Sequence, residues 1–205
     1  MTFLARRGRA AASALAALTL TAVIAGCSAD PLAEQYRAGD NKGFIAADGF
    51  RVVEVPEDER GEPVEFSGVL DTGDAVSSDE YAGDVVVVNF WYAACAPCRV
   101  EAPELAAAAA EFADEQVSFL GVNIYDGADA SLAFAETYGI EYPSALATED
   151  GSIKLAFADV TPLNAVPTTV VLDAEGRVAA RFIGAVTGES YSILTTVVDD
   201  LLDES

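Results

Sequence analysis

The chain has 205 residues, 52% of them hydrophobic, which is ample for one buried core plus extensions. It contains 34 acidic and 11 basic residues, no histidine and three cysteines, with a formal net charge of -23. That balance repels nucleic acid and anionic lipid headgroups, and the missing histidines exclude imidazole acid–base chemistry and histidine metal ligands.

Residues 1–27 read as a targeting segment. Arg6, Arg7 and Arg9 form a positive n-region, and Ala10 to Ile24 is an apolar stretch of secretory length. All the acidic residues follow it, so the chain beyond residue 27 carries 34 acidic and 8 basic side chains. The segment ends in Ile24-Ala25-Gly26-Cys27. This tetrapeptide resembles the lipobox of bacterial lipoproteins, in which the cysteine is acylated and becomes the mature N-terminus. The resemblance implies lipidation at Cys27, with two acyl chains sufficient for stable anchoring. An ordinary cleaved signal with an incidental cysteine is the plainer alternative. Residues 28–63 read as a polar tether and N-terminal extension, with a possible strand from Phe50 to Val55 and a charged loop from Pro56 to Pro63.

The main domain is expected over residues 64–205. Val64 to Leu70 and Ala75 to Ser77, joined by Asp71-Thr72-Gly73-Asp74, read as a β-hairpin. Val85 to Trp91 is a β-branched and aromatic run without polar alternation, the pattern of a strand buried on both faces. A helix should run from Pro97 to about Glu115, kinked by Pro103, with Leu105 and Phe112 on one face. Then follow a strand over Val117 to Ile124, a helix over Asp129 to Tyr138 ending at Gly139, and a short extended piece at Ile140 to Pro143. A weak helix is expected over Gly151 to Phe157. A second hairpin (Thr168 to Leu172 and Arg177 to Ile183) and a closing helix from Ser190 to Leu202 complete the order. Parallel strands need helical crossovers, so the expected class is α/β, a central mixed sheet flanked by helices.

Chemistry concentrates at Cys95-Ala96-Pro97-Cys98, between the valine strand and the helix start. A Cys-x-x-Cys pair in that place suggests a thioredoxin-like redox motif. Helix N-terminal N–H groups stabilise a thiolate, and the two-residue spacer lets the sulfurs form a disulfide. One such pair is half of a structural zinc site and no other domain cysteine completes it, so no metal and no cofactor beyond the disulfide is expected.

Taken together, the residues from Val64 to Leu202 resemble the TlpA-like and ResA-like branch of the thioredoxin superfamily. The resemblance rests on Val87-Val88-Asn89-Phe90-Trp91 ahead of the cysteines, Glu101 and Pro103 after them, and Gly121-Val122-Asn123. It rests further on Tyr142-Pro143 in an αβ insertion after the second core strand, and on Val166-Pro167-Thr168-Thr169 about seventy residues beyond the cysteines. It implies a thioredoxin fold and a thiol–disulfide oxidoreductase in which Cys95 attacks, from an exposed position, and Cys98 resolves. Pro167 would be cis, presenting Val166 to an extended substrate, and Trp91 would pack beside the site. Three departures stand out. Ala94 replaces a usual Trp, with Tyr92 as a possible partial filler. Asn89 stands where thioredoxin has a proton-accepting Asp, and the spacer Ala96-Pro97 is uncommon. ResA-like relatives share an acidic residue after the second core strand; Asp126 falls at or near it and is expected as the acid–base partner of the cysteines, against a plain solvated loop aspartate.

The resemblance implies location on the extracytoplasmic face of a bacterial membrane and exported protein substrates carrying disulfides or dithiols. ResA-like proteins reduce such disulfides, including those of apocytochrome c, and would draw electrons from a membrane dithiol carrier. An oxidant or isomerase acting on secreted proteins is the alternative. A peroxiredoxin-type peroxidase is disfavoured, because Tyr92 occupies the position of its required threonine.

Overall fold

A computed structural model describes residues 44–45, 51–162 and 165–204; the expected targeting segment, Cys27 and most of the tether lie outside them. The strands are β1 (Phe44–Ile45), β2 (Arg51–Glu54), β3 (Ser67–Val69), β4 (Ala75–Ser77), β5 (Val85–Trp91), β6 (Val117–Asn123), β7 (Ser144–Leu146), β8 (Thr168–Leu172) and β9 (Val178–Ile183). The helices are α1 (Ala96–Glu111), α2 (Ala128–Tyr138), α3 (Ser152–Ala156) and α4 (Glu189–Glu204).

Seven strands form one sheet in the order β1-β2-β9-β8-β5-β6-β7, while β3 and β4 pair as a separate hairpin. β5 runs parallel to β6 and β6 to β7; β5–β8, β8–β9 and β9–β2 are antiparallel. This is the mixed, helix-flanked sheet of a thioredoxin fold, with the expected N-terminal hairpin and an insertion, α2 to α3, after the second core strand β6.

The central strand β5 is buried along its whole length. Because side chains alternate across a strand, it serves two cores. Val85 and Val87 pack with Leu105, Ala108, Leu194 and Val198 under α1 and α4. Val86, Val88 and Phe90 pack with Phe66, Val76, Ile153 and Phe157 under the hairpin and α3. Burying each such side chain contributes roughly 1.5–3 kcal/mol. The same parity turns Asn89 and Trp91 toward α1, which is what brings them to the cysteines.

Two expectations shift. Arg51–Glu54 pairs with β9 over Arg51–Ile183 to Glu54–Ala180, so the sheet includes strands ahead of Val64. Arg60 fastens the connecting segment: its Nη1 lies 3.1 Å from Asp173 Oδ2 and 2.6 Å from Glu204 Oε2, and the Arg60 and Asp173 side chains are almost fully buried. The extended piece expected at Ile140 to Pro143 lies further on, at β7, where Gly121, Val122 and Asn123 of β6 pair with Ser144, Ala145 and Leu146. Pairing with β6, rather than local composition, selects those residues. Pro103 lies inside α1 without ending it. α2 stops where Gly139 takes φ 71°, a left-handed conformation that glycine adopts freely.

Candidate active site

Cys95 is the N-cap of α1 and Cys98 sits in its first turn. The two sulfurs are joined in a disulfide, with Cα atoms 5.3 Å apart. The Cys98 N–H donates to Cys95 Sγ over 3.2 Å, so one of the orphan donors of the helix start is aimed at the first sulfur. In the dithiol state that donor and the helix dipole favour a thiolate at Cys95. Pro97 fills an early helical position, where its missing N–H costs nothing.

Both cysteines are buried, Cys95 at 3% and Cys98 at 1% exposure. The exposed first sulfur expected from the sequence is therefore not found in the disulfide form. They pack in one apolar cluster with Trp91, Ala102 and Phe134, against the partly buried Tyr92, Ala93, Tyr138, Ile140 and Val166. What reaches solvent is the surrounding chain: Ala94, Ala96, Pro97 and Arg99. Trp91 is 4% exposed and lies against Phe134 with ring centroids 4.2 Å apart, a wall behind the disulfide rather than a surface for substrate. The close approach of β6 leaves no room there: a Cβ on Gly121 would collide with Ser144 Oγ and come within 2.8 Å of Trp91 Nε1.

The Val166–Pro167 peptide is cis, and Val166 belongs to the margin of the cysteine cluster. The Pro167 carbonyl accepts from Gly184 N–H at 3.0 Å, fixing the start of β8 to the end of β9.

Asp126 reaches the cysteine loop, but through the backbone. Its Oδ2 accepts from Ala93 N–H at 2.6 Å and from Asn123 Nδ2 at 3.0 Å. Arg99 Nε donates to the Ala93 carbonyl at 2.7 Å, so both faces of the residue two before Cys95 are held by charged side chains.

A second carboxylate lies deeper. Glu101, one helical turn after Cys98, is 1% exposed. Its Oε1 accepts from Asn89 Nδ2 at 2.9 Å and its Oε2 from Val186 N–H at 2.8 Å; Asn89 Nδ2 also donates to Thr169 Oγ1 at 3.0 Å. Burial pushes the Glu101 carboxyl up to about 8, partly offset by those two hydrogen bonds. Burial, with a smaller contribution from the Glu101 charge, pushes the Tyr142 phenol up as well. Cys98, Glu101, Asn89 and Tyr142 all line one small internal cavity, about the room of a single water. In the sequence Glu101 stands out only as part of a motif. The signal for more was present: a charged residue at i+3 from Cys98, on a helix face otherwise filled by Ala102, Leu105 and Ala108. Among the described residues no group of His, Cys, Asp and Glu is arranged to hold a metal ion.

The family model for AhpC/TSA proteins matches residues 61–181. The chain is 32% identical over 115 residues to the thiol-disulfide oxidoreductase ResA of Bacillus subtilis, a match covering 56% of this chain and 62% of that protein. The chain thus spans less than two thirds of this relative's length. Among solved structures it resembles a DsbF homologue from Corynebacterium diphtheriae, with 32% identity, TM-score 0.61, and coverage of 77% of this chain and 97% of that one. It also resembles a secreted thiol-disulfide isomerase from Corynebacterium glutamicum, with 28% identity, TM-score 0.64, and coverage of 78% and 99%.

Proposed function

The chain belongs to the AhpC/TSA family, and from that premise we propose that it is a thiol–disulfide oxidoreductase tethered outside the cytoplasmic membrane, reducing disulfides of exported proteins. The observation that carries the reading is the Cys95–Cys98 disulfide at the start of α1, with the Cys98 N–H directed at Cys95 Sγ.

In the forward direction the Cys95 thiolate attacks a substrate disulfide. A Cys95–substrate bond forms, the substrate S–S bond breaks, and one substrate thiolate leaves. The Cys98 thiolate then attacks Cys95 Sγ, closing the internal disulfide and releasing the second substrate thiolate. Two electrons pass to the substrate, and the released thiolates take up two protons. Restoring the dithiol takes two electrons from a membrane dithiol carrier. Glu101 exchanges the proton of Cys98. Burial pushes its carboxyl up to about 8, so near neutral pH it can both take up and return a proton. Asp126, proposed from the sequence as the acid–base partner, acts on Cys95 through the Ala93 peptide it binds. Val166 and Pro167 line the approach of the substrate chain, and Trp91 backs the disulfide. Lipidation at Cys27 supplies the membrane address, and apocytochrome c awaiting haem is a substrate in this reading.

The likeness to a secreted isomerase favours a second direction, in which the oxidised pair makes or rearranges disulfides. Trapping separates the two. A Cys98→Ser variant, expressed with its signal, should accumulate mixed disulfides at Cys95 with exported proteins. The reduction potential then decides the direction: near -270 mV or below for a reductant, near about -120 mV for an oxidant. Absence of any trapped species, with wild-type protein inert toward dithiothreitol, would overturn the reading.

A further inference from the structure

We infer that Tyr125 is a specificity-determining residue for the redox site: its ring forms, with Tyr92, an aromatic wall beside the cysteine loop that takes an aromatic or large aliphatic side chain flanking the substrate cysteine. The inference rests on the exchange reaction proposed above and names the substrate class that reaction prefers.

Four observations support it. First, Tyr125 is 64% exposed, yet it stands two residues beyond β6, straight after the buried Asn123 and Ile124. Second, its backbone is fixed although its ring is not covered. The side-chain oxygen of Asn123, itself fully buried, accepts from Tyr125 N–H at 3.0 Å and from Asp126 N–H at 2.8 Å, and Ile124 N–H donates to the Trp91 carbonyl at 3.0 Å. Third, the ring meets Tyr92 edge-on, with centroids 5.2 Å apart and planes at 80°. Tyr92 in turn touches both the cysteine cluster and the core under the hairpin, and its carbonyl accepts from Cys95 N–H at 3.1 Å. Fourth, the residue before Cys95 is Ala94, exposed and with no ring of its own, so the loop carrying the reactive sulfur has its aromatic surface set to one side, on Tyr125.

These facts have a common consequence. An exposed aromatic ring held on a fixed backbone loses little conformational entropy when a partner covers it, so contact there converts efficiently into affinity. The Asp126 bond to Ala93 couples the backbone of the wall to the loop that ends in Cys95. A substrate chain joined to Cys95 brings the residue next to its own cysteine to the vicinity of this wall, where a large apolar side chain gains contact and a serine or glycine gains little.

The test measures second-order rate constants for single-turnover exchange between the reduced protein and two peptide disulfides, identical except for Trp or Ser beside the attacked cysteine. Wild type should favour the Trp peptide by about three- to tenfold, the size expected of one aromatic pair. Tyr125→Ala should bring the ratio of the two constants close to one, and Tyr125→Phe, which keeps the ring, should restore it. A Tyr125→Ala protein that keeps the wild-type ratio overturns the inference while leaving the exchange reaction intact. Wild-type protein that exchanges with neither peptide overturns the reading beneath it.

Discussion

Asn89 Nδ2 donates to Glu101 Oε1 over 2.9 Å inside the core, so a neutral amide braces the buried acid next to the cysteines. A carboxylate at position 89 would face Glu101 as a like charge, and the two could not both ionise at that range. Asn89 therefore leaves a single buried carboxyl beneath the disulfide, whose other oxygen is held by Val186 N–H.

The raised Glu101 carboxyl makes stability depend on pH. Its ordinary value is 4.5 and its folded value about 8, so between those limits the folded state holds the proton that the unfolded chain has lost. Stability should fall as pH rises from 4.5 to 8 and level off above, with a slope from this group of at most about 1.4 kcal/mol per pH unit. Urea unfolding of the oxidised protein at pH 5, 6, 7 and 8 should show the decline, and Glu101→Gln should remove that part of it.

The same substitution should slow disulfide resolution. Removing the buried carboxyl that exchanges the Cys98 proton is expected to cost about 10²-fold in the rate of internal disulfide closure, with the pH dependence near 8 abolished. Stopped-flow oxidation of the reduced protein across pH 6 to 10 measures both. An unaltered profile would assign Glu101 to packing.

Asp126 can be examined with two variants. Asp126→Asn keeps an acceptor oxygen for Ala93 N–H and removes the titrating group, whereas Asp126→Ala removes both. A thiol titration that moves in both variants supports an acid–base role. Movement in Asp126→Ala alone identifies Asp126 as a positioning residue for the Cys95 loop. Alkylation rates at Cys95 as a function of pH are the readout.

Gly121→Ala places a methyl group against Ser144 Oγ and Trp91 Nε1, where β6 lies closest to the wall behind the disulfide. It should destabilise the protein by about 1–3 kcal/mol, as overpacking of a dense core does. The Trp91 fluorescence should change with it, because this is the chain's one tryptophan.

Arg60→Ala should cost about 1–3 kcal/mol, since it leaves Asp173 with Arg177 as its remaining cationic partner and frees Glu204 at the end of α4. The loss should show as a lower urea midpoint, with the slope unchanged.

Local pattern made much of the fold legible. β5, β6, α2 and the β8–β9 hairpin follow from runs and periodicities that are complete within a dozen residues, and the Cys pair declares itself by its spacing and its place before a helix. The resemblance in Val166-Pro167-Thr168-Thr169 pointed to a distant loop, and Val166 lies at the margin of the cysteine cluster. Elements whose existence depends on a partner strand were harder. β7 is three residues selected by pairing with β6, and β2 belongs to the sheet because β9 offers it an edge. Asp126 and Glu101 illustrate the same divide at the site. Both are acidic residues near a motif: Glu101 shares a helix face with Ala102, Leu105 and Ala108, which hints at burial, whereas nothing in the chain neighbours of Asp126 says that it meets a backbone N–H.

By itself the sequence determined the class of chemistry: two cysteines at redox spacing on a strand-to-helix turn, no histidine, and a strongly acidic chain that repels nucleic acid. Those are properties of residue type and short-range order. Only the tertiary structure decided which acid carries a shifted proton affinity, that both sulfurs are covered in the disulfide, and that the exposed aromatic surface beside them is Tyr125. Each of these depends on solvent exclusion and on contacts between residues tens of positions apart, which exist only once β5, β6, α1 and the loops at their ends are packed together.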